Sequence, residues 1–227
     1  MKISAIIPVY NEKSTIKEII RRVQATNLID EILIVDDGST DGTRDILEEY
    51  DHHHQVRVIL HEKNQGKGAA VRTGIHNITG DLIIIQDADL EYDPREYTNL
   101  LKPLQEGIAD VVYGSRFLGG ARRPILFWNM VANKILTLVT NILYNNILTD
   151  METGYKVFRR DVVKDLTLRA QRFDFEPEFT AKILKRKVRI FEVPIAFNPR
   201  DYSEGKKIKM KDAFEAMWAL IKYRFVD

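Results

Sequence analysis

"DLIIIQDADLEYDP", residues 81–94, joins an apolar run directly to a cluster of acids. Ile83, Ile84 and Ile85 read as a buried strand, and Asp87, Asp89, Glu91 and Asp93 follow it. A short β-branched run bounded by polar residues suits a strand covered on both faces. Alternating positions of an extended segment point the same way, so Asp87, Asp89 and Glu91 are expected to converge on one point. Such hard oxygen ligands suit Mg2+ or Mn2+, which bind through few carboxylates together with substrate phosphates. The plainer alternative is a solvated acidic loop, although an unpaired acidic cluster at a buried strand's end repels itself without a cation. Asp93 reads separately as a cap ahead of Pro94, with proline at the first helical position.

The same pattern extends outward from this stretch. "KISAIIPVY" (2–10) precedes Ile16, Ile19, Ile20 and Val23, which share one helix face. "EILIVDD" (31–37), "VRVILH" (56–61) and "ADVVYGSRF" (109–117) read as strands. Thr43 to Tyr50, Gly68 to Ile78 and Pro94 to Gln105 read as the intervening helices. Near-continuous apolar strands with helical crossovers imply an α/β fold, a mostly parallel central sheet with helices on both faces. Such sheets place ligands at the carboxyl ends of their strands. Polar residues gather there: "PVYNE", "VDDGSTDGT", "HEKNQGKG", "QDADLE" and "GSRFLGG". The second half loses the alternation, offering a strand-like "GYKVFRR" (154–160), a helix around Glu176 to Lys187, the strand "VRIFEVPIAF" (188–197) and a last helix. Neither a linker nor an internal repeat interrupts the chain, so residues 1–227 read as one domain whose second half completes the site begun by the first.

Bulk composition excludes some classes. The 227 residues are 44% hydrophobic and 30% charged, which is ordinary for a globular protein with a sizeable core. A net charge of +1 argues against nucleic acid as a partner, and the absence of cysteine excludes disulfides, zinc-thiolate sites and a cysteine nucleophile while suiting a reducing cytoplasm. The opening apolar run is too short for a signal segment and reads as the first strand. The long apolar stretch from Ile125 to Leu148 carries one charge, Lys134, but Asn129, Asn133, Thr137, Asn141 and Asn145 recur along it. That stripe predicts an amphipathic helix or helix pair instead of a bilayer span.

Four further motifs carry chemistry of differing strength. In "VDDGSTDGT", Gly38 permits a tight turn and Asp41 or Thr43 can cap the next helix, which leaves the doubled Asp36–Asp37 as a candidate partner for a nucleobase N–H or ribose hydroxyl. "NQGKGAAVRTG" fails the Walker A spacing, with His61 where a glycine belongs, and fails the dinucleotide fingerprint at Val71. What remains is a helix N-terminus that either faces an anion or serves packing. "GSRFLGGARR" supplies Arg116, Arg122 and Arg123, whose planar forks match phosphate. "NPRDYSEGKKIKMK" supplies Arg200, Lys206, Lys207, Lys209 and Lys211, a run that alone would read as a solvated face. The triple histidine at 52–54 lacks metal-ligand spacing and reads as a loop.

Together "IIPVYNE", "IVDDGSTDGT", "NQGKGAAVRTG", "QDADLE", "GSRFLGG", "TDMETGYKVFRR" and "EVPIAFNPRDYSEGKKI" resemble the family 2 glycosyltransferases with the GT-A fold, in order and across almost the whole chain. Within that family the sequence looks most like the polyprenyl-phosphate sugar transferases, such as dolichyl-phosphate mannose and glucose synthases. The resemblance implies a nucleotide-sugar and metal-binding half (1–118) and an acceptor- and membrane-facing half (119–227). It casts Pro8, Tyr10, Glu12, Asp37, Lys67, Asp87 and Ala88 as donor contacts. Asp87 and Asp89 match the metal-holding DxD pair, with Glu91 standing where mannose synthases carry a glutamine ligand. Arg116, Arg123, Arg200 and Lys206 match positions that handle phosphate, Arg116 joining Asp87 and Asp89 as catalytic.

The implied reaction is inverting, metal-dependent transfer from UDP-glucose, UDP-N-acetylglucosamine or GDP-mannose to a polyprenyl or dolichyl phosphate. An ionised phosphate is already a nucleophile, so no general base is needed, whereas a hydroxyl acceptor would need one, sought at Asp150 or Glu152. A hydroxyl acceptor in polysaccharide or glycan assembly is therefore the alternative, and a catalytically silent nucleotide-binding protein is another. A lipid acceptor implies a cytoplasmic protein held peripherally at the membrane face, through its own helices or a partner with transmembrane segments. In the last helix Phe214, Met217, Trp218, Ile221 and Phe225 form one apolar face flanked by Lys222 and Arg224, which suits either an interfacial helix or core packing.

Overall fold

The computed structural model describes residues 1–51, 55–124, 127–200 and 210–226. The triple histidine, Ile125, Lys206, Lys207 and Lys209 lie outside the described residues. Strands β1 (Ile3–Val9), β2 (Glu31–Asp36), β3 (Val56–Leu60), β4 (Leu82–Ile85), β5 (Val111–Ser115), β6 (Lys156–Arg159) and β7 (Ile190–Pro194) form one sheet in the order β3-β2-β1-β4-β6-β5-β7. All neighbouring pairs are parallel except those of β6, which is antiparallel to both β4 and β5. The expected mostly parallel sheet is present, and its alternating side chains fill two cores. Ile3, Ala5, Ile7, Ile32, Ile34, Leu82 and Ile84 line one core, whereas Ile6, Leu33, Val35, Ile83 and Ile85 line the other.

Helices cover both faces. The apolar stripe Ile16, Ile19, Ile20 and Val23 of α1 (Ile16–Ala25) is buried as its spacing requires. α2 (Thr43–Tyr50) and α3 (Lys67–Asn77) follow β2 and β3. A 3-10 turn at Pro94–Glu96 leads into α4 (Tyr97–Gln105), and Asp93 caps that turn by accepting from the Arg95 amide at 2.9 Å. Helices α5 (Phe127–Tyr144), α6 (Arg160–Val163), α7 (Phe175–Lys185) and α8 (Met210–Phe225) belong to the second half, where α8 packs on α5 and α7.

Two placements matter for the site. Because β6 runs against its neighbours, the "TDMETG" segment preceding it reaches the edge where β4 and β5 end. The parallel strands alone would not bring it there. α5, in turn, is amphipathic with its polar stripe facing inward. Thr137 is buried and accepts from the Met151 amide at 3.2 Å, while Asn141 binds both the amide and the carbonyl of Leu148. The stripe thus anchors the approach to "TDMETG", and Phe127, Trp128, Ile135, Leu138 and Ile142 face outward. On α8, Phe214, Trp218, Ile221 and Phe225 are likewise exposed, whereas Met217 is partly buried against the core.

Candidate active site

The acids after β4 do not stay extended. Residues 88–91 make a turn, with Leu90 in the left-handed region at φ 63°, and the Glu91 amide folds back onto Asp89 Oδ1 at 3.1 Å. The expected convergence of Asp87, Asp89 and Glu91 therefore does not occur, since it assumed a straight segment. Among the described residues no three His, Cys, Asp or Glu side chains are grouped to hold a metal. Glu91 instead accepts from the Arg200 amide at 2.8 Å, and its carbonyl accepts from the Asn198 amide at 3.0 Å, which ties the acidic turn to the chain after β7.

Asp87 and Asp89 each meet a cation. Lys67 Nζ lies 2.8 Å from Asp87 Oδ1 and 3.0 Å from Glu176 Oε1. Burial works against the Lys67 charge, but Asp87 and Glu176 outweigh it and hold the ammonium well above its ordinary pKa. The Arg200 guanidinium grips Glu12 at 2.9 and 3.1 Å and approaches Asp89 Oδ2 at 3.4 Å. Burial, and then repulsion from Asp87 and Glu91, nevertheless push the Asp89 carboxyl upward, with Arg200 offsetting part of this. A partly buried carboxylate under like-charge pressure at a strand end suits a cation with oxygen preference.

The loops after β1 to β3 are knitted together by polar groups. Asp37 Oδ1 accepts from His61 Nδ1 at 2.8 Å and the Gln65 amide at 2.9 Å, while Oδ2 accepts from the Gly66 amide at 2.6 Å. Gly66 sits at φ 100°, where a Cβ would strike the Gln171 carbonyl. The next amides are also engaged, Gly68 by the Arg172 carbonyl and Ala69 by the Gln171 carbonyl. Of the two readings left open for "NQGKG", the packing one describes these amides.

On the other side, Arg116 is 9% exposed and clasps Asp150 through Nε and Nη2, both at 2.7 Å, while its amide donates to the same carboxylate. Asp150 is thus committed to Arg116 and does not stand as an unengaged base. Lys156, fully buried, donates to the carbonyls of Met151 and Thr153, so one ammonium clamps both neighbours of Glu152. Gly154 donates to Tyr92 Oη at 3.0 Å and packs so closely that a Cβ there would collide with Asp87 Oδ2.

The sequence-derived residues are not all brought to one point. Arg200 links Glu12 with Asp89, and Lys67 pairs with Asp87, with buried Ala88 between the two aspartates and half-buried Tyr10 at the end of β1. Pro8 is buried inside β1 opposite Val35, within the sheet and not at its edge. Arg123 lies on the exposed chain that pairs with Phe197, its Nη1 reaching the Pro199 carbonyl at 3.3 Å. Sequence reasoning missed Glu176 and Gly154. A signal for Glu176 existed in "FDFEPEF", where carboxylates interrupt an otherwise apolar helix start.

Against known proteins, the glycosyl transferase family 2 profile matches residues 4–167, from β1 through the strand β6 that closes this site. The chain belongs to glycosyl transferase family 2. Two relatives are named for transfer of a sugar to a lipid phosphate. The dolichol-phosphate mannosyltransferase of Pyrococcus furiosus is 32% identical over 220 residues, covering 95% of this chain and 61% of the relative. The UDP-N-acetylglucosamine--dolichyl-phosphate N-acetylglucosaminyltransferase of Methanococcus voltae is 31% identical over 239 residues, covering 95% of this chain and 93% of the relative. The chain thus spans about three fifths of the first of these and nearly all of the second. For the fold, glucosyl-3-phosphoglycerate synthase from Mycobacterium tuberculosis, solved with Mn2+, UDP-glucose and phosphoglyceric acid, superposes with a TM-score of 0.79 at 19% identity, covering 100% of this chain and 80% of that one. This family 2 member therefore has a GT-A-like fold.

Proposed function

We propose that this family 2 enzyme moves a sugar from a nucleotide sugar to a polyprenyl phosphate at a membrane surface, with inversion and with a divalent metal. The observation that carries the reading is the pair Asp87 and Asp89 at the end of β4, one braced by Lys67 and Glu176, the other crowded enough to raise its carboxyl. Two carboxylates suffice for Mg2+ or Mn2+ when substrate phosphates complete the shell, and the fold neighbour was solved with Mn2+ and a UDP-sugar. Asp87 and Asp89 would hold such an ion, which offsets charge on the departing diphosphate. Lys67 keeps Asp87 oriented, and Arg200, now on Glu12 and Asp89, is the cation placed to meet phosphate when those carboxylates are otherwise engaged. Arg116 holds its fork rigid on Asp150. In this reading Tyr10 and Asp37 would serve the nucleotide and Arg123 the acceptor phosphate.

A lipid-phosphate acceptor is supported by the relatives' names and by the outward apolar faces of α5 and α8. No helix among the described residues is long and apolar enough to cross a membrane. The outward faces of α5 and α8 fit contact with a membrane surface, and a membrane-spanning partner is the other mode proposed. Trp128 and Trp218, 72% and 66% exposed, supply the amphipathic rings favoured at such an interface.

The test is incubation with radiolabelled UDP-glucose, UDP-N-acetylglucosamine or GDP-mannose, Mn2+ or Mg2+, and polyprenyl phosphate in vesicles. An organic-extractable, acid-labile product that EDTA abolishes is expected, as is its loss by at least a hundredfold in Asp89→Ala, a loss on the order of that for removing a transition-state electrostatic group. Transfer only to a hydroxyl acceptor, or unchanged turnover in Asp89→Ala, would sink the proposal.

A further inference from the structure

We propose that Glu152 reads the donor, its carboxylate accepting a hydrogen bond from a ring hydroxyl of the transferred sugar. The inference deepens the glycosyltransferase reading and rests on it.

Four carboxylates and three cations are brought together where β4 and β5 end and β6 begins. Asp150 is held by Arg116, and Asp87 and Glu176 by Lys67. Lys156 points away from direct pairing and holds the carbonyls of Met151 and Thr153. Glu152 is different. Its Oε1 is enclosed and finds no hydrogen-bond partner among the described residues, although the residue as a whole is half-buried. An enclosed acceptor left unmade costs about 1–3 kcal/mol, more for a charge, so an orphan kept at a strand end calls for a ligand that satisfies it.

The turn presenting Glu152 is rigid. Residues on either side are pinned by one ammonium, Thr153 Oγ1 donates to the Gly114 carbonyl at 2.6 Å, and the Met151 amide is held by Thr137. Two residues further on, Gly154 touches Asp87. The sugar of a sugar nucleotide is bonded directly to the diphosphate. A group that reads the sugar must therefore stand beside the diphosphate site, and this turn does.

Neighbouring charge selects the kind of ligand. Burial, and then Glu176, push the Glu152 carboxyl upward, with Lys156 and Arg116 opposing. A neutral hydroxyl satisfies the lone pair without adding charge, whereas a second anion would meet repulsion. The terminal torsion of glutamate is broad, so the carboxylate can present either oxygen.

The experiment measures binding, with Mn2+, of UDP, GDP, UDP-glucose, UDP-N-acetylglucosamine and GDP-mannose to wild type, Glu152→Ala and Glu152→Gln. Deoxy analogues of the best-bound donor complete the set. We expect both variants to bind the nucleoside diphosphate within twofold of wild type. Glu152→Ala should lose tenfold or more on the intact donor, Glu152→Gln less, and one deoxy analogue should bind wild type and Glu152→Ala alike. Without donor and above pH 8, Glu152→Gln should melt at or above the wild-type temperature, since burial raises the Glu152 carboxyl to about 8 and its ionised, unpartnered form is then removed. Undiminished donor affinity in Glu152→Ala overturns the inference. So does an equal loss on the nucleoside diphosphate, which marks a structural role, or a fall in kcat alone, which marks a base. Wild type that binds no nucleotide overturns the glycosyltransferase reading itself, a distinguishable result.

Discussion

Gly154 lacks a side chain at the point where Asp87 Oδ2 occupies the room for one. Nothing in "TDMETG" announces this, because the contact joins segments far apart in the chain. Gly154→Ala should force Asp87 away from Lys67, lowering turnover on the order of a hundredfold, as for misplacement of a reacting group by about 1 Å. Overpacking should also cost about 1–3 kcal/mol. Thermal melts paired with radiolabel transfer check both, and wild-type turnover would refute the steric account. Asp87 and Asp89 stand out in the sequence because a carboxylate pair directly after a buried run is unusual locally. The alternation pattern places Glu91 with the two aspartates, but the left-handed Leu90 that turns it toward Arg200 leaves no trace in a one-dimensional pattern. Glu176 depends on a helix folding back across the sheet, a tertiary fact that periodicity does not encode.

At the scale of elements, periodicity locates nearly every strand and helix, because period two and period 3.6 are set by the backbone itself. It does not state which side of an amphipathic helix turns inward. α5 shows the limit: its Asn and Thr stripe holds the chain before β6, while Phe127, Trp128, Ile135, Leu138 and Ile142 are left outside. Glu31, at the start of β2, has a comparable tying role. It accepts from Ser4 on β1 at 2.7 Å, from the amide and hydroxyl of Thr79 ahead of β4 at 2.9 and 2.7 Å, and from Arg57 on β3 at 2.7 Å. Burial pushes its carboxyl up, but the bonds from Thr79, Ser4 and Arg57 outweigh this and hold it down at about 2, against an ordinary 4.5. A depressed folded pKa stabilises above the unfolded value, and that stabilisation disappears as pH falls from about 4.5 to about 2. Urea midpoints between pH 6 and pH 2.5 should therefore fall more steeply for wild type than for Glu31→Gln. Parallel curves would show that the four-strand tie carries no linkage.

At the scale of the molecule, the two halves expected from the family resemblance share one sheet, and β5 draws both its partners, β6 and β7, from the second half. A fragment ending at residue 118 should then show no cooperative melt and bind no nucleotide, whereas a fragment reaching past β7 should recover folding. A cooperative melt in the shorter piece, followed by circular dichroism, would refute this. The inserted strand also bears on synthesis. As the chain leaves the ribosome, β5 emerges with neither neighbour made, and residues to Arg159 must follow before its first edge can close. At 5–20 residues per second that interval lasts roughly a few seconds. During it, an apolar strand with open edges is exposed to the cell, and that makes the interval between β5 and β6 the period when a chaperone is most needed.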